Sequence, residues 1–208
     1  MGTIVKSIKR PGGFEITNRA ISFCAFDKGA KILDLGCGQG ATVDYLTGKG
    51  FEAFGIDRNP ANINSQKNLL VGLAETMPFQ NSSMDGIIME CSFNLMDEQK
   101  TVLKRCFEVL KPAGKLIISV LYARGKTNLI NGSCIGLVET KEEIIQKLEG
   151  SNFCVELFED YSTELRTMWG QMIFDQGAKA FYCDLGVCPE KLKEVKCGYC
   201  LIVAKKCS

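Results

Sequence analysis

The segment "DLGCGQG", Asp34 to Gly40, places glycines at 36, 38 and 40 between an apolar run and a stretch of helical composition. Glycine tolerates left-handed backbone angles and lets the main chain approach a ligand closely. The spacing therefore predicts a turn that lays backbone against a bound molecule. It is one residue tighter than G-x-G-x-x-G, whose following helix holds a dinucleotide pyrophosphate, and so argues against that ligand class. Asp57 closes the next apolar run, where a carboxylate accepts from two ribose hydroxyls. Asp34 is either a ligand contact or a structural cap. A second segment, "IIMECSFNLM" (87–96), opens as a buried strand and ends in Glu90, Cys91, Ser92 and Asn94. Placed where a strand ends, these groups are expected to line a reaction pocket. The alternative is packing, with Cys91 a filler and Glu90 a charge at a helix approach.

The chain contains no histidine. That removes the usual general base near neutral pH, imidazole metal ligands and any Ser-His or Cys-His pair. The 208 residues, 46% hydrophobic and 24% charged, suit one domain over 1–208 with a sizeable core. Twenty-five basic residues against 24 acidic leave a net charge of +1, which supplies no field for nucleic acid or anionic lipid. Small-molecule partners follow, on a monomer or homodimer. No run of 18 apolar residues and no apolar stretch of signal-peptide length is present, so a cytoplasmic protein without a membrane partner is expected. The eleven cysteines are scattered and odd in number, and read as reduced thiols, most of them small buried hydrophobes. Cys183, Cys188, Cys197 and Cys200 match a tetrathiolate zinc set on count alone. Against it, Cys197 and Cys200 flank the start of a strand, and no metal is expected.

The elements that must position these groups alternate. Strands are predicted at 31–36, 51–57, 68–74, 85–91, 115–122, 153–160 and 199–206. Helices are predicted at 97–111, with Leu103, Cys106, Phe107 and Leu110 on one stripe, from Thr140, where Thr140 and Glu143 form a capping-box pattern, and over 162–181. Apolar strands separated by helices predict a parallel sheet covered on both faces, with ligands beyond the strands' carboxyl ends. The segments before Phe14, at 123–134 and at 183–198 read as irregular. "RPGGFEITNRAI" (10–21) is either a lid with glycine hinges or a helix covering the sheet. "FEDYSTELRTMWGQMIF" (158–174) carries Asp160, Tyr161 and Trp169 toward the same end, with Met168 and Met172 read as core and Trp169 left open.

Four segments in order, "ILDLGCGQG", "GIDRNP", "AETMPFQNSSMDGI" and "VLKPAGKLIIS", together resemble the class I S-adenosylmethionine-dependent methyltransferases. The resemblance covers Lys31 to Tyr122, and "GYCLIVAKK" resembles that family's antiparallel last strand. It implies an α/β, doubly wound, mostly parallel seven-stranded sheet, with an N-terminal cover over 1–30, a cofactor core over 31–122 and a substrate side over 123–208. It also implies S-adenosylmethionine as cofactor, held by Asp34, Gly36, Cys37, Gly38, Gly40, Asp57, Arg58, Ala74 and Glu75. Many relatives carry an Asp before the Ala-Glu pair, where this chain has Leu73. Glu90, Cys91, Cys134 and Asp160 form the implied catalytic set. A narrower stretch, from "ECSFNLM" to "GSCIGLVETKEEIIQKLEGSNF", is similar to arsenite methyltransferases, whose arsenic-binding Cys matches Cys134. A second family Cys has no match here, Val43 lying nearby. Because a sulfonium methyl is already activated, a base is needed only where the acceptor has a proton to lose. A chain without histidine thus suits a thiolate, selenolate or metalloid acceptor. Methylation of a quinone-like or carboxylate metabolite at O or C, with Glu90 or Asp160 assisting, is an alternative, as is a thiol-rich binding protein without turnover.

Overall fold

A computed structural model of the chain describes residues 10–63, 68–125, 131–132 and 135–207. Its main sheet contains β1 (Lys31–Leu35), β2 (Glu52–Asp57), β3 (Leu69–Val71), β4 (Met84–Glu90), β5 (Leu110–Ala123), β6 (Phe153–Asp160) and β7 (Cys197–Lys206). Their spatial order is β3-β2-β1-β4-β5-β7-β6. The first five run parallel, while β7 is antiparallel to both β5 and β6. The two residues Glu139–Thr140 pair beside β5 and add an eighth strand to the seven predicted.

Side chains alternate across this sheet and bury two cores. On one face Ile32, Ile88 and Ile117 pack with α1 (Gly13–Cys24), α2 (Ala41–Gly48), α5 (Ser162–Gln176), α6 (Ala178–Leu185) and α7 (Pro189–Val195). On the other, Leu33, Ile87, Leu116 and Ile118 meet α3 (Gln99–Val109) and α4 (Lys141–Glu149). Truncating one such residue, Leu116→Ala for instance, costs about 2–5 kcal/mol. Cys197 faces the first core and Cys200 the second. That opposition separates two of the four candidate zinc thiols, and no group of three or more His, Cys, Asp or Glu fit for a metal occurs among the described residues.

The capping box forms as read: Thr140 Oγ1 accepts from the Glu143 amide at 3.3 Å and Glu143 reaches back to the Thr140 amide at 2.8 Å. Other boundaries move. The helix predicted over 162–181 breaks at Gly177, whose φ of 85° ends α5 before α6 starts. Within the segment read as irregular, Pro189 occupies the first turn of α7, where its missing N–H costs nothing. The reading of all thiols as reduced is corrected by a Cys154–Cys207 disulfide, with Cα atoms 5.8 Å apart. Antiparallel pairing of β7 with β6 returns the chain's end to Cys154, and the Cys207 amide donates to the Asn152 carbonyl at 3.0 Å. The other eight described cysteines are free. Among the described residues no helix is long and apolar enough to cross a membrane.

Candidate functional site

Parallel pairing aligns the carboxyl ends of β1, β2 and β4, and the chain leaves β1 through the glycine turn. Gly36, Gly38 and Gly40 all have positive φ, at 78°, 51° and 81°. Gly36 also approaches β4 so closely that a Cβ there would sit 2.5 Å from Ser92 Cβ. Ser92 seals the contact by donating its hydroxyl to the Leu35 carbonyl at 2.6 Å. Asp57 organises the turn from β2: Oδ2 accepts from the Gly38 amide at 2.8 Å, and Oδ1 from the Asn59 amide at 2.9 Å and Asn62 Nδ2 at 3.2 Å. Each oxygen has two lone pairs, so capacity remains for a ligand hydroxyl.

These groups border a cavity of about 610 Å³. Gly36, Asp57, Arg58, Ala74, Glu75, Cys91 and Ser92, all singled out from sequence, line it. Leu73, half exposed, adds an apolar edge, and Leu95, Met96, Asp97 and Glu98 close the far side. Arg58 lies 3.7 Å from Asp97 in an exposed pair, which contributes little. Sequence reasoning missed the 95–98 wall, since nothing in "LMDE" marks a loop that folds back over the site. Asn59 and Asn62 were missed too, although Asn59 before Pro60 is a recognisable turn signal: its side chain accepts from the Ala61 amide.

The remaining expected residues lie elsewhere. Asp34 is buried beneath the turn, and its carboxyl is pushed well above the usual range by burial and then by Glu90 and Asp57, with Arg10 opposing. Cys37 points at β2, so close that a Cβ on Gly55 would sit 2.7 Å from its Sγ, and burial raises its thiol to about 12. Gly38 and Gly40 shape the turn without lining the cavity. Asn94 bridges strand and loop, donating to the Leu121 carbonyl at 3.1 Å and accepting from its amide at 3.2 Å. Cys134 lies outside the described residues.

Glu90 is not among the cavity-lining residues. Both its oxygens accept hydroxyl protons, from Thr17 at 2.6 Å and Thr42 at 2.9 Å, and Arg10 pairs with it at 2.9 Å. Burial nevertheless raises its pKa, against the pull of Arg10 and the two threonines. Cys91 has a left-handed φ of 56°, a strained setting for a non-glycine residue. Its Sγ lies 3.1 Å from Tyr199 Oη, which donates onward to Ser119 Oγ at 2.8 Å. Cys91, Tyr199 and Ser119 thus form one hydrogen-bonded chain. Burial first, then Glu90, hold Cys91 near 11, so it is a neutral thiol at pH 7.

Asp160 lies three strands from Glu90, roughly 14 Å at the usual strand spacing. It stands just before α5, accepting from the Ser162 amide at 2.8 Å and hydroxyl at 3.0 Å, and Tyr122 donates to it as well. Partial burial works against the charge, but these donors more than offset it and hold the carboxyl below its ordinary value.

Comparison with known proteins follows this geometry. Residues 33–118 match the model of the family described as methyltransferase domain. An uncharacterised methyltransferase from Synechocystis is 33% identical over 98 residues, 43% of this chain and 46% of that protein. An arsenite methyltransferase from Aquipseudomonas alcaligenes is 25% identical over 137 residues, 52% of this chain and 39% of that one. The chain thus spans under half the length of these curated relatives. Among solved structures, a geranyl diphosphate C-methyltransferase from Streptomyces coelicolor, in complex with Mg²⁺, geranyl diphosphate and S-adenosylhomocysteine, superposes with a TM-score of 0.75. That likeness, at 13% identity over 91% of this chain and 77% of the other, is one of fold.

Proposed function

We propose that this chain, a class I S-adenosylmethionine-dependent methyltransferase by its fold and by the family match over residues 33–118, transfers a methyl group from that donor to a small-molecule acceptor. The observation that carries the reading is the convergence of Gly36, Asp57, Ala74 and Glu75 on one cavity at the carboxyl ends of β1 and β2. The residues present fit the donor. A volume of about 610 Å³ lies within the range of ligand pockets. Four acids, Asp57, Glu75, Asp97 and Glu98, against one cation, Arg58, leave the lining acidic, which suits a ligand bearing sulfonium and ammonium charges. When bound, the donor supplies an electrophilic methyl whose carbon–sulfur bond breaks as an acceptor lone pair forms the new bond.

The chain's task is then alignment and exclusion of water. Asp57 would accept from ribose hydroxyls, and Leu73 with the Ala74 main chain would border the adenine. Cys91 and Ser92 form the inner wall. None of the described groups nearest that wall is set up as a base at neutral pH: Cys91 holds its proton, Tyr199 is buried with a strongly raised pKa, and Glu90 is engaged by three donors off the cavity lining. This supports an acceptor nucleophilic without help, such as a thiolate, a selenolate or trivalent arsenic. Cys134 is then the thiol expected to hold a metalloid. Proton-losing O- or C-acceptors are the second reading, and Asp160, committed to Tyr122 and Ser162, does not favour it. The test is a panel of thiol, selenol, arsenite, quinone and carboxylate acceptors scored by release of S-adenosylhomocysteine. Turnover with soft acceptors, reduced for arsenite in Cys134→Ser, is expected; turnover confined to phenols or carboxylates overturns the acceptor assignment.

A further inference from the structure

One buried cluster has no part in the chemistry above. Arg10 donates from Nη1 to Thr42 Oγ1 at 2.9 Å and from Nη2 to Thr17 Oγ1 at 2.7 Å, while Nε reaches the Gly13 carbonyl at 3.3 Å. The two threonines pass their own protons to the two oxygens of Glu90, whose Oε2 lies 2.9 Å from Arg10 Nη2. Arg10, Thr17, Glu90 and Thr42 thus close a ring in which every hydroxyl both accepts and donates. The Arg10 and Glu90 side chains are only 12% and 4% exposed.

The ring spans three elements, α1, α2 and β4, and the last two adjoin the donor cavity through the residues next to them in the chain. Thr42 is the second residue of α2, the helix entered from the glycine turn. Glu90 ends β4 and is followed by Cys91 and Ser92, which line the cavity, with Ser92 packed under Gly36. Thr17 lies on α1, the cover helix. Adhesion of α1 to the sheet does not need charge, because Ile16, Ala20 and Ile21 already bury that face. An ion pair withdrawn from water is expensive to form and destabilising when half of it is lost, so its presence here calls for something that packing cannot do. Hydrogen bonds with fixed partners define one register of α1 against α2 and β4, whereas apolar contacts tolerate sliding.

We infer that Arg10 and Glu90 are positioning residues of the donor site, their ion pair locking α1 to the start of α2 and the end of β4, which carry the glycine turn and the Cys91–Ser92 wall, so that a bound donor and a seated cover stabilise each other. This rests on the reading of the cavity as the donor site. It assigns Glu90 a role through its neighbours and leaves proton removal to other groups or to solvent.

The experiment is calorimetric titration of S-adenosylhomocysteine into the full chain, paired with hydrogen exchange of the amides of Gly13–Cys24. In the wild type, binding should slow exchange in α1. Arg10→Gln and Glu90→Gln should each weaken binding about tenfold and abolish that protection, and the double variant should be no weaker than the singles, because one lock is broken in all three. Arg10→Lys should recover part of the affinity. Leu148→Ala, which destabilises the opposite face of the sheet, should bind as the wild type does. Wild-type affinity and α1 protection in Arg10→Gln would overturn the inference, and so would an equal loss of affinity in Leu148→Ala at a matched fall in Tm. Should the folded wild type bind no S-adenosylhomocysteine, the donor reading fails and the lock is judged on exchange alone. Arg10→Gln must then speed exchange in α1 selectively over α3 and α4, and an even change across all helices overturns it.

Discussion

The carboxyl edge of the sheet carries two unlike walls. At the ends of β1 and β2 the surface offered to a ligand is largely main chain, shaped by glycines and pinned by Asp57. At the ends of β5, β7 and β6 the polar side chains bind one another: Tyr199 with Ser119 and Cys91, Tyr122 and Ser162 with Asp160. The first wall is open to a ligand and depends on the absence of side chains. The second is self-satisfied and depends on their presence. A backbone cradle suits a cofactor common to many proteins, while a side-chain wall can change with the acceptor.

This contrast can be broken from either side. The largest effect is expected at the first wall. Gly36→Ala forces an alanine to φ 78° and a Cβ to 2.5 Å from Ser92, a combined cost of about 2–6 kcal/mol. Chemical denaturation should show that loss, and Gly36→Ala with Ser92→Gly should recover only the part due to collision. Next comes the cross-link, which ties β6 to β7 at the opposite edge of the sheet from both walls. Cys154–Cys207 closes a sequence separation of 53 that contains α5, α6, α7 and nearly all of β6 and β7. Its reduction should cost on the order of 2–4 kcal/mol, seen as a fall in Tm on adding reductant to the wild type and not to Cys207→Ser. The smallest effect concerns Asp160. Its folded pKa is depressed, so it adds stability above its unfolded pKa and loses it as pH falls through the folded value. Asp160→Asn should cost about 1 kcal/mol at pH 7, and the gap to wild type should narrow below about pH 4.

The same contrast explains what could be read before the fold was known. Gly36 and Asp57 were legible because backbone freedom and strand-end position are local properties, and the Ala74–Glu75 stretch entered only through the family resemblance. The Thr140–Glu143 cap was legible too, its partners being three residues apart. Arg10 was not, since Glu90 lies 80 positions away and "RPGG" reads as a hinge. Nor was the disulfide, which depends on β7 pairing with β6 in one register. The stretch 183–198 read as irregular, although Pro189 opens α7 there. Glu90 and Asp160 were legible as strand-end acids, but which partners claim them is settled by tertiary contacts.

Whether the cavity under the glycine turn is a donor site is decided by calorimetric titration of S-adenosylhomocysteine into the wild-type chain and into Asp57→Ala. Micromolar binding by the wild type, lost in the variant while its fold is retained, is the predicted result. A folded wild type that binds none, or an Asp57→Ala variant that binds as tightly, would contradict it.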